Sequence, residues 1–321
     1  MNTTEASLYQ SVPIADVVAS YQENGFVVCP DLISESELKS LRSEVERLLA
    51  SPPSGFESCY FYTNHHGGGE RDTFLADDVA DAVDDNDAGN LKDSHESLSR
   101  IDSFLPFSPT FLRLLGHPSL LGLMDALLGH DFVVVSESLV FKIPRTGVGF
   151  RFHQDGEWLL GENNHVPRGL NVGVYLHDST EATGCLRAVP AKCPQGKLDI
   201  TQSGVTAGAQ NIPANAGDII IHSRDLVHGS SPNRSDATRV TCYFTALPRT
   251  LAEAGFGRQA VARRTQIIPL AIQSRAYSGA STVDGALPYV YEPLVDRFDC
   301  PTDLMQIESH PSLSLPAMHA V

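Results

Sequence analysis

Positive charge is scarce in this sequence: 23 Lys and Arg stand against 39 Asp and Glu, a formal charge of −16. Nucleic acid and anionic membrane surfaces both reward Lys and Arg, so neither is an expected partner. Long apolar runs are missing too. No stretch approaches the roughly 18 residues of a membrane-spanning helix, and no basic segment followed by an apolar one opens the chain. Cysteine is sparse and scattered. Cys29, Cys59, Cys185, Cys193, Cys242 and Cys300 form no CxxC pair, which argues against a zinc site or a disulfide framework and for reduced, mostly buried thiols. The expectation is a soluble, cytoplasmic protein. Its 321 residues, 42% hydrophobic, suffice for one substantial core.

What is present changes character along the chain. Ile14, Val17, Val18 and Tyr21 recur at helical spacing, and Asn24-Gly25 then breaks the pattern before the apolar run Phe26-Val27-Val28. Ser34 to Glu37 reads as a capping box opening an amphipathic helix with Leu38, Leu41, Val45, Leu48 and Leu49 on one face. Residues 51–98, with Pro52-Pro53, three consecutive glycines at 67–69 and many Asp, read as an irregular acidic insertion. It is either a lid over a site or a solvated loop. Residues 107–129 read as helical around a start at Pro118. From Asp131 the texture turns to short β-branched runs: 132–135, 139–143, 170–176, 219–221 and 240–246 are strand candidates, and 267–272 could be one more. Helices followed by many short strands point to an antiparallel barrel or sandwich with helices outside.

The chemistry concentrates in Phe152-His153-Gln154-Asp155-Gly156. In an extended strand His153 and Asp155 project to one side and Gln154 to the other, offering an imidazole and a carboxylate to one divalent metal. An HxD triplet alone is weak. The second segment adds weight: Gly217 to Ser223 reads as turn and buried strand, and Leu226-Val227-His228-Gly229-Ser230 as a loop carrying a histidine. His222 competes with His228 as third ligand, its alternative being a strand-end histidine bonded in the core. Beyond it, Arg239, Thr241, Tyr243 and Thr245 alternate with Val240, Cys242, Phe244 and Ala246. A polar face on a central strand fits a barrel interior that holds a ligand. Asn171 and Tyr175 share such a face in 170–176, and Trp158 could line a pocket or pack on a barrel edge. His65-His66 read as exposed; His117, His130, His165 and His177 read as surface or capping residues.

The HQD triplet, the segment GDIIIHSRDLVHGSSPNRS and the arginine eleven positions after His228 resemble the phytanoyl-CoA dioxygenase family. ENGFVVCPDLISESELKSL and EATGCLRAVPAK share its style, so the likeness covers about residues 13–248. The resemblance implies a mainly β fold with α: a double-stranded β-helix (jelly-roll, cupin-like) core with N-terminal helices packed outside. It would be one oxygenase domain over 1–321, with a helical layer at 13–130, the core at 131–248 and an extension at 249–321. It further implies Fe(II) held by His153, Asp155 and His228, and 2-oxoglutarate and O2 as co-substrates. Arg239 would take the distal carboxylate of 2-oxoglutarate, since a planar guanidinium meets a carboxylate with two parallel hydrogen bonds. Phe150 would pack beside the co-substrate, with Asn171 near it and Tyr175 and Trp158 toward substrate. The implied activity is oxidation, foremost hydroxylation, of an unactivated C–H of a small molecule, a specialised metabolite rather than an acyl-CoA, releasing succinate and CO2. Asp155 stands where a halogenating relative has a small residue, which disfavours halogenation. Pro190-Ala191-Lys192-Cys193 departs from the Pro-Gly-Ser-His of many relatives. Two other readings fit the residues: a non-catalytic jelly-roll binding protein, and a cupin-type metalloenzyme needing no 2-oxoglutarate.

Overall fold

Val17 and Tyr21 turn one face of α1 (Ile14–Asn24) inward, and Gly25 ends it with φ 76°. A Cβ at Gly25 would also lie 2.7 Å from Leu226 Cδ1, so the chain reverses here against the loop that leads to His228. The computed structural model describes residues 13–51, 60–64, 97–145, 149–155, 169–193, 198–200, 202–278, 291 and 306. β1 (Phe26–Cys29) follows, then α2 (Glu35–Ala50), which buries Leu38, Leu41, Val45 and Leu48. Leu49, expected on that face, is exposed. Ser34 caps α2 by accepting from Glu37 N. The other half of the expected capping box is given up: the Glu37 carboxylate instead accepts from Arg275 Nη1 at 2.7 Å.

Three expectations are corrected. Part of the 51–98 insertion is regular: β2 (Tyr60–Asn64) pairs with β3 (Ser97–Asp102), because Tyr60-Phe61-Tyr62-Thr63 is an aromatic and β-branched run that suits a sheet edge. The rest of that insertion lies outside the described residues, as do His65, His66, Trp158 and His165. The strand candidates 132–135 and 139–143 are one strand, β4 (Phe132–Lys142). Ser136-Glu137-Ser138 looked like a break, but Glu137 is fully buried because Arg264 comes to meet it. Finally, 267–272 is not a strand but the start of α7 (Ile267–Tyr277), whose buried Ile267, Ile268, Leu270 and Ala271 make an apolar run that periodicity cannot tell from a strand. Gly116 lets it close in, since a Cβ there would meet Ala271 O at 2.3 Å.

The helical stretch 107–129 resolves into α3 (Pro109–Leu115) and α4 (Pro118–Leu128), bent by 48°. His117 caps α4 through Nδ1, which accepts from Ser119 N. No single helix among the described residues is long and apolar enough to cross a membrane.

The remaining strands are β5 (Phe150–His153), β6 (Leu170–Tyr175), β7 (Leu186–Ala188), β8 (Gln210–Ile212), β9 (Ile219–Ser223), β10 (His228–Ser230) and β11 (Arg239–Pro248). They form two antiparallel sheets, β1-β9-β6-β11-β4-β3-β2 and β5-β10-β7-β8. Alternation sorts the faces of the larger sheet. Val172, Val174, Val240, Cys242 and Phe244 join the helices in the main core, while Tyr175 and Ile220 pack with Leu186, Ala188 and Ile212 between the sheets. The polar residues of β6 and β11 therefore face the smaller sheet. This is a jelly-roll core with helices outside it. Behind β4 lie α5 (Arg249–Phe256) and α6 (Arg258–Thr265), fastened by Arg249 to Asp131 at 2.6 Å and by the buried Arg264–Glu137 pair, while α7 packs against α3 and α6.

Candidate metal centre

β5 ends at His153, and Asp155 lies two residues on. Strand pairing brings in the distant partner: β10 runs antiparallel to β5 with His228 directly opposite His153. His153 Nε2 lies 3.2 Å from Asp155 Oδ1, and His228 Nε2 lies 3.6 Å from Asp155 Oδ2. All three ligand atoms fall within 4.8 Å of one another, the one such group among the described residues. His153 and Asp155 remain about a quarter exposed (26% and 24%) while His228 is 9% exposed, so the cluster is open to solvent on one side rather than sealed in solid core.

The protonation states suit a cation. His228 Nδ1 lies 2.9 Å from Leu226 O; a carbonyl only accepts, so Nδ1 carries the hydrogen and Nε2 presents its lone pair. Burial, then the neighbouring His153, pushes the His228 imidazole down to about 3 against the pull of Asp155. Burial opposes ionisation of Asp155 as well, but His228, His153 and Arg224 outweigh it and hold the carboxyl well below the usual range. One carboxylate and two imidazoles are the donor set of a 2-His-1-carboxylate iron site.

His222 is placed apart from this group. Its ring centre lies 4.4 Å from that of His228 with the planes tilted by 50°, and its Nδ1 donates to Ser223 O at 3.1 Å. Gln154, whose side chain was expected only to point away, is buried and fastens the site: Nε2 donates to Asp225 O, and Oε1 accepts from Leu198 N at 2.8 Å. Arg224 Nη2 donates to Asp155 O at 2.6 Å. Asn171 Nδ2 donates to Asp155 Oδ2 at 2.5 Å, so the structure puts this residue on the carboxylate ligand candidate.

Arg239 opens β11 and is buried, donating from Nη1 to Thr241 Oγ1 at 2.6 Å and from Nη2 to Gly184 O at 3.2 Å. Its Nε and the Ser230 hydroxyl are both buried without a partner. A buried donor left unsatisfied costs about 1–3 kcal/mol, so these two atoms fit a site that an acceptor completes. Across the sheet from Arg239 stands Lys142, its Nζ 3.0 Å from Ser231 O and 4.5 Å from the centre of the Phe150 ring. Burial and then Arg239 lower the Lys142 ammonium well below its usual range. Sequence reasoning did not single out Lys142 or Ser230. The signal available for Ser230 was its place in the segment carrying His228; for Lys142 there was none, because its partner comes from strand register. Tyr175 lines the same space, with the Arg239 guanidinium 5.8 Å above its ring and its hydroxyl 3.5 Å from that of Tyr243.

A sequence model of the phytanoyl-CoA dioxygenase family matches residues 21–241. Methylphosphonate hydroxylase of Gimesia maris is 23% identical over 232 residues, 70% of this chain and 77% of that protein. The solved structure of EctD from S. alaskensis, with 2-oxoglutarate and 5-hydroxyectoine, is similar in fold. Its TM-score is 0.55 at 20% identity, covering 77% of this chain and 80% of that one. The non-heme alpha ketoglutarate dependent epimerase SnoN from nogalamycin biosynthesis is also similar, with a TM-score of 0.54 at 20% identity over 74% of this chain and 81% of that one. With the family model spanning more than two thirds of its length and the jelly-roll core built around a His-Asp-His cluster, this chain belongs to the phytanoyl-CoA dioxygenase family of iron- and 2-oxoglutarate-dependent oxygenases.

Proposed function

We propose that His153, Asp155 and His228 hold Fe(II) in this dioxygenase, and that Arg239 and Ser230, beside Lys142 and Phe150, receive 2-oxoglutarate. The observation that carries this is the conjunction of two sites in one barrel. Three ligand atoms converge within 4.8 Å, and the same interior buries a guanidinium with an unsatisfied Nε beside an unsatisfied hydroxyl. The bound iron and co-substrate supply the oxidising power: 2-oxoglutarate and O2 give succinate and CO2, and one oxygen atom goes into a substrate C–H to give an alcohol. The chain's own part is to orient and enclose. Gln154 and Arg224 fix the HQD turn, the Phe150 ring walls the pocket, and the larger sheet shields the cluster from water.

The substrate we infer is a small specialised metabolite. SnoN, similar in fold, is an epimerase from nogalamycin biosynthesis. A highly anionic acyl-CoA would meet a chain of net charge −16. The C-terminal arginines offset little of this, since Arg264 is buried against Glu137 and Arg258 lies 3.5 Å from Glu253. The test is conversion of 2-oxoglutarate to succinate in air with Fe(II), for the wild type and Asp155→Ala. Succinate formed by the wild type and lost in the variant supports the assignment; full turnover by Asp155→Ala would sink it.

A further inference from the structure

A row of inner-face side chains crosses three strands beside the metal cluster. His222 on β9 pairs with Asn171 on β6, and Asn171 pairs with Thr245 on β11. Thr245 also sits at a bulge, where the register between β11 and β4 shifts between Thr245 and Ala246. Bulges re-aim side chains beside active sites. Here the Thr245 hydroxyl donates to Asn171 Oδ1 at 2.7 Å, and Asn171 Nδ2 donates to Asp155 Oδ2 at 2.5 Å.

This chain of bonds has a direction. A carboxylate oxygen only accepts, so the NH2 end of the Asn171 amide must face Asp155 and its oxygen must face away. The only end left to tether is therefore Oδ1, which needs a donor, and Thr245 supplies one. The Asp155 backbone carbonyl is gripped by Arg224 Nη2. Arg224 thus fixes the main chain, while the amide holds Oδ2 of the carboxylate, opposite the Oδ1 that faces His153 Nε2 at 3.2 Å.

We propose that Thr245 and Asn171 are positioning residues that act in series: Thr245 orients the Asn171 amide, and the amide sets the carboxylate plane of Asp155 for metal binding. The inference rests on Asp155 being a metal ligand. It goes beyond the ligand set by making a hydroxyl that touches no ligand a determinant of metal affinity, and by making its effect conditional on Asn171.

The experiment is titration of the metal-free protein with Mn(II), an air-stable stand-in for Fe(II), followed by electron paramagnetic resonance of the free ion. Six proteins are compared: wild type, His228→Ala, Thr245→Val, Thr245→Ser, Asn171→Ala and the double variant Asn171→Ala/Thr245→Val. Loss of an outer partner of a metal ligand weakens binding roughly 10–100-fold. Thr245→Val should raise the Mn(II) Kd about 10-fold, Asn171→Ala by at least as much, and Thr245→Ser, which restores the hydroxyl, should return it to within about twofold of wild type. The double variant should bind like Asn171→Ala alone, because Thr245 has nothing left to orient. Additive losses in the double variant, an unaltered Kd in Thr245→Val, or no rescue by serine would each overturn the inference while leaving the metal site standing. A wild type that binds Mn(II) no more tightly than His228→Ala would instead overturn the metal-site assignment and the inference with it.

Discussion

Replacing Arg239 with alanine isolates the co-substrate pocket from the metal cluster. In the wild type the guanidinium donates to Thr241 and Gly184 O and keeps Nε in hand. A hydrogen bond to a charged group contributes about 1.5–3 kcal/mol, so a two-pronged contact with a carboxylate is worth roughly 3–5 kcal/mol. That corresponds to a 2-oxoglutarate Kd weaker by about 150- to 5000-fold. The loss should fall toward the lower end. Lys142 sits directly across the sheet, and Arg239 is one cause of its lowered pKa, so removing Arg239 favours the ammonium and gives the co-substrate a substitute cation. Calorimetric titration of 2-oxoglutarate into the Mn(II)-loaded protein reads the effect. Mn(II) affinity itself should stay within about twofold of wild type, since Arg239 bonds to none of the three cluster residues. A 2-oxoglutarate Kd that barely moves would refute the pocket assignment and favour a cupin-type enzyme without a keto-acid co-substrate. A parallel collapse of metal affinity would show that Arg239 supports the fold instead.

The C-terminal helices supply a stability test. Arg264 and Glu137 form an ion pair with both side chains almost fully buried, so Arg264→Met should cost about 3–5 kcal/mol in urea unfolding by stranding the carboxylate. Arg264→Met/Glu137→Leu should recover most of it; equal loss in both variants would contradict this account. Alkaline pH gives another. Burial pushes the Cys29 thiol up to about 12 and raises Cys242, Tyr175 and Tyr243 as well. The folded state keeps protons that the unfolded chain releases above about pH 9, so this stability is complete below pH 9 and is lost as pH rises. Lys142 acts the other way, because the unfolded chain holds that proton up to about pH 10, so the loss between pH 8 and 10 should be larger in Lys142→Met than in the wild type; a flat urea midpoint in that variant would refute the burial of these groups.

The candidate site was legible where local pattern suffices. The alternation along 239–246 describes which side chains share a face, and the structure puts Val240, Cys242 and Phe244 in the core as it implies; His153 and Asp155 converge although β5 ends at His153, so Asp155 comes from the turn beyond the strand and not from strand alternation. What stayed hidden depends on long-range register. Lys142 meets Arg239, Thr245 meets Asn171, and Glu137 finds Arg264 only once strands and helices distant in sequence are paired. The misread elements have the same origin. Ser136-Glu137-Ser138 separates two strand candidates until its ion-pair partner arrives, and 267–272 could be a strand until α3 packs on it through Gly116. The Glu37 carboxylate was drawn from its local capping role by Arg275, more than 200 residues away in sequence.

Anaerobic titration of the metal-free protein with Fe(II) and then 2-oxoglutarate tests the central claim most directly, with the visible charge-transfer absorption of an Fe(II)–keto acid chelate as the signal. A band that saturates with 2-oxoglutarate in the wild type and is absent in His228→Ala is the predicted result. Iron bound in full with no band on adding 2-oxoglutarate, or a band undiminished in His228→Ala, would contradict the account.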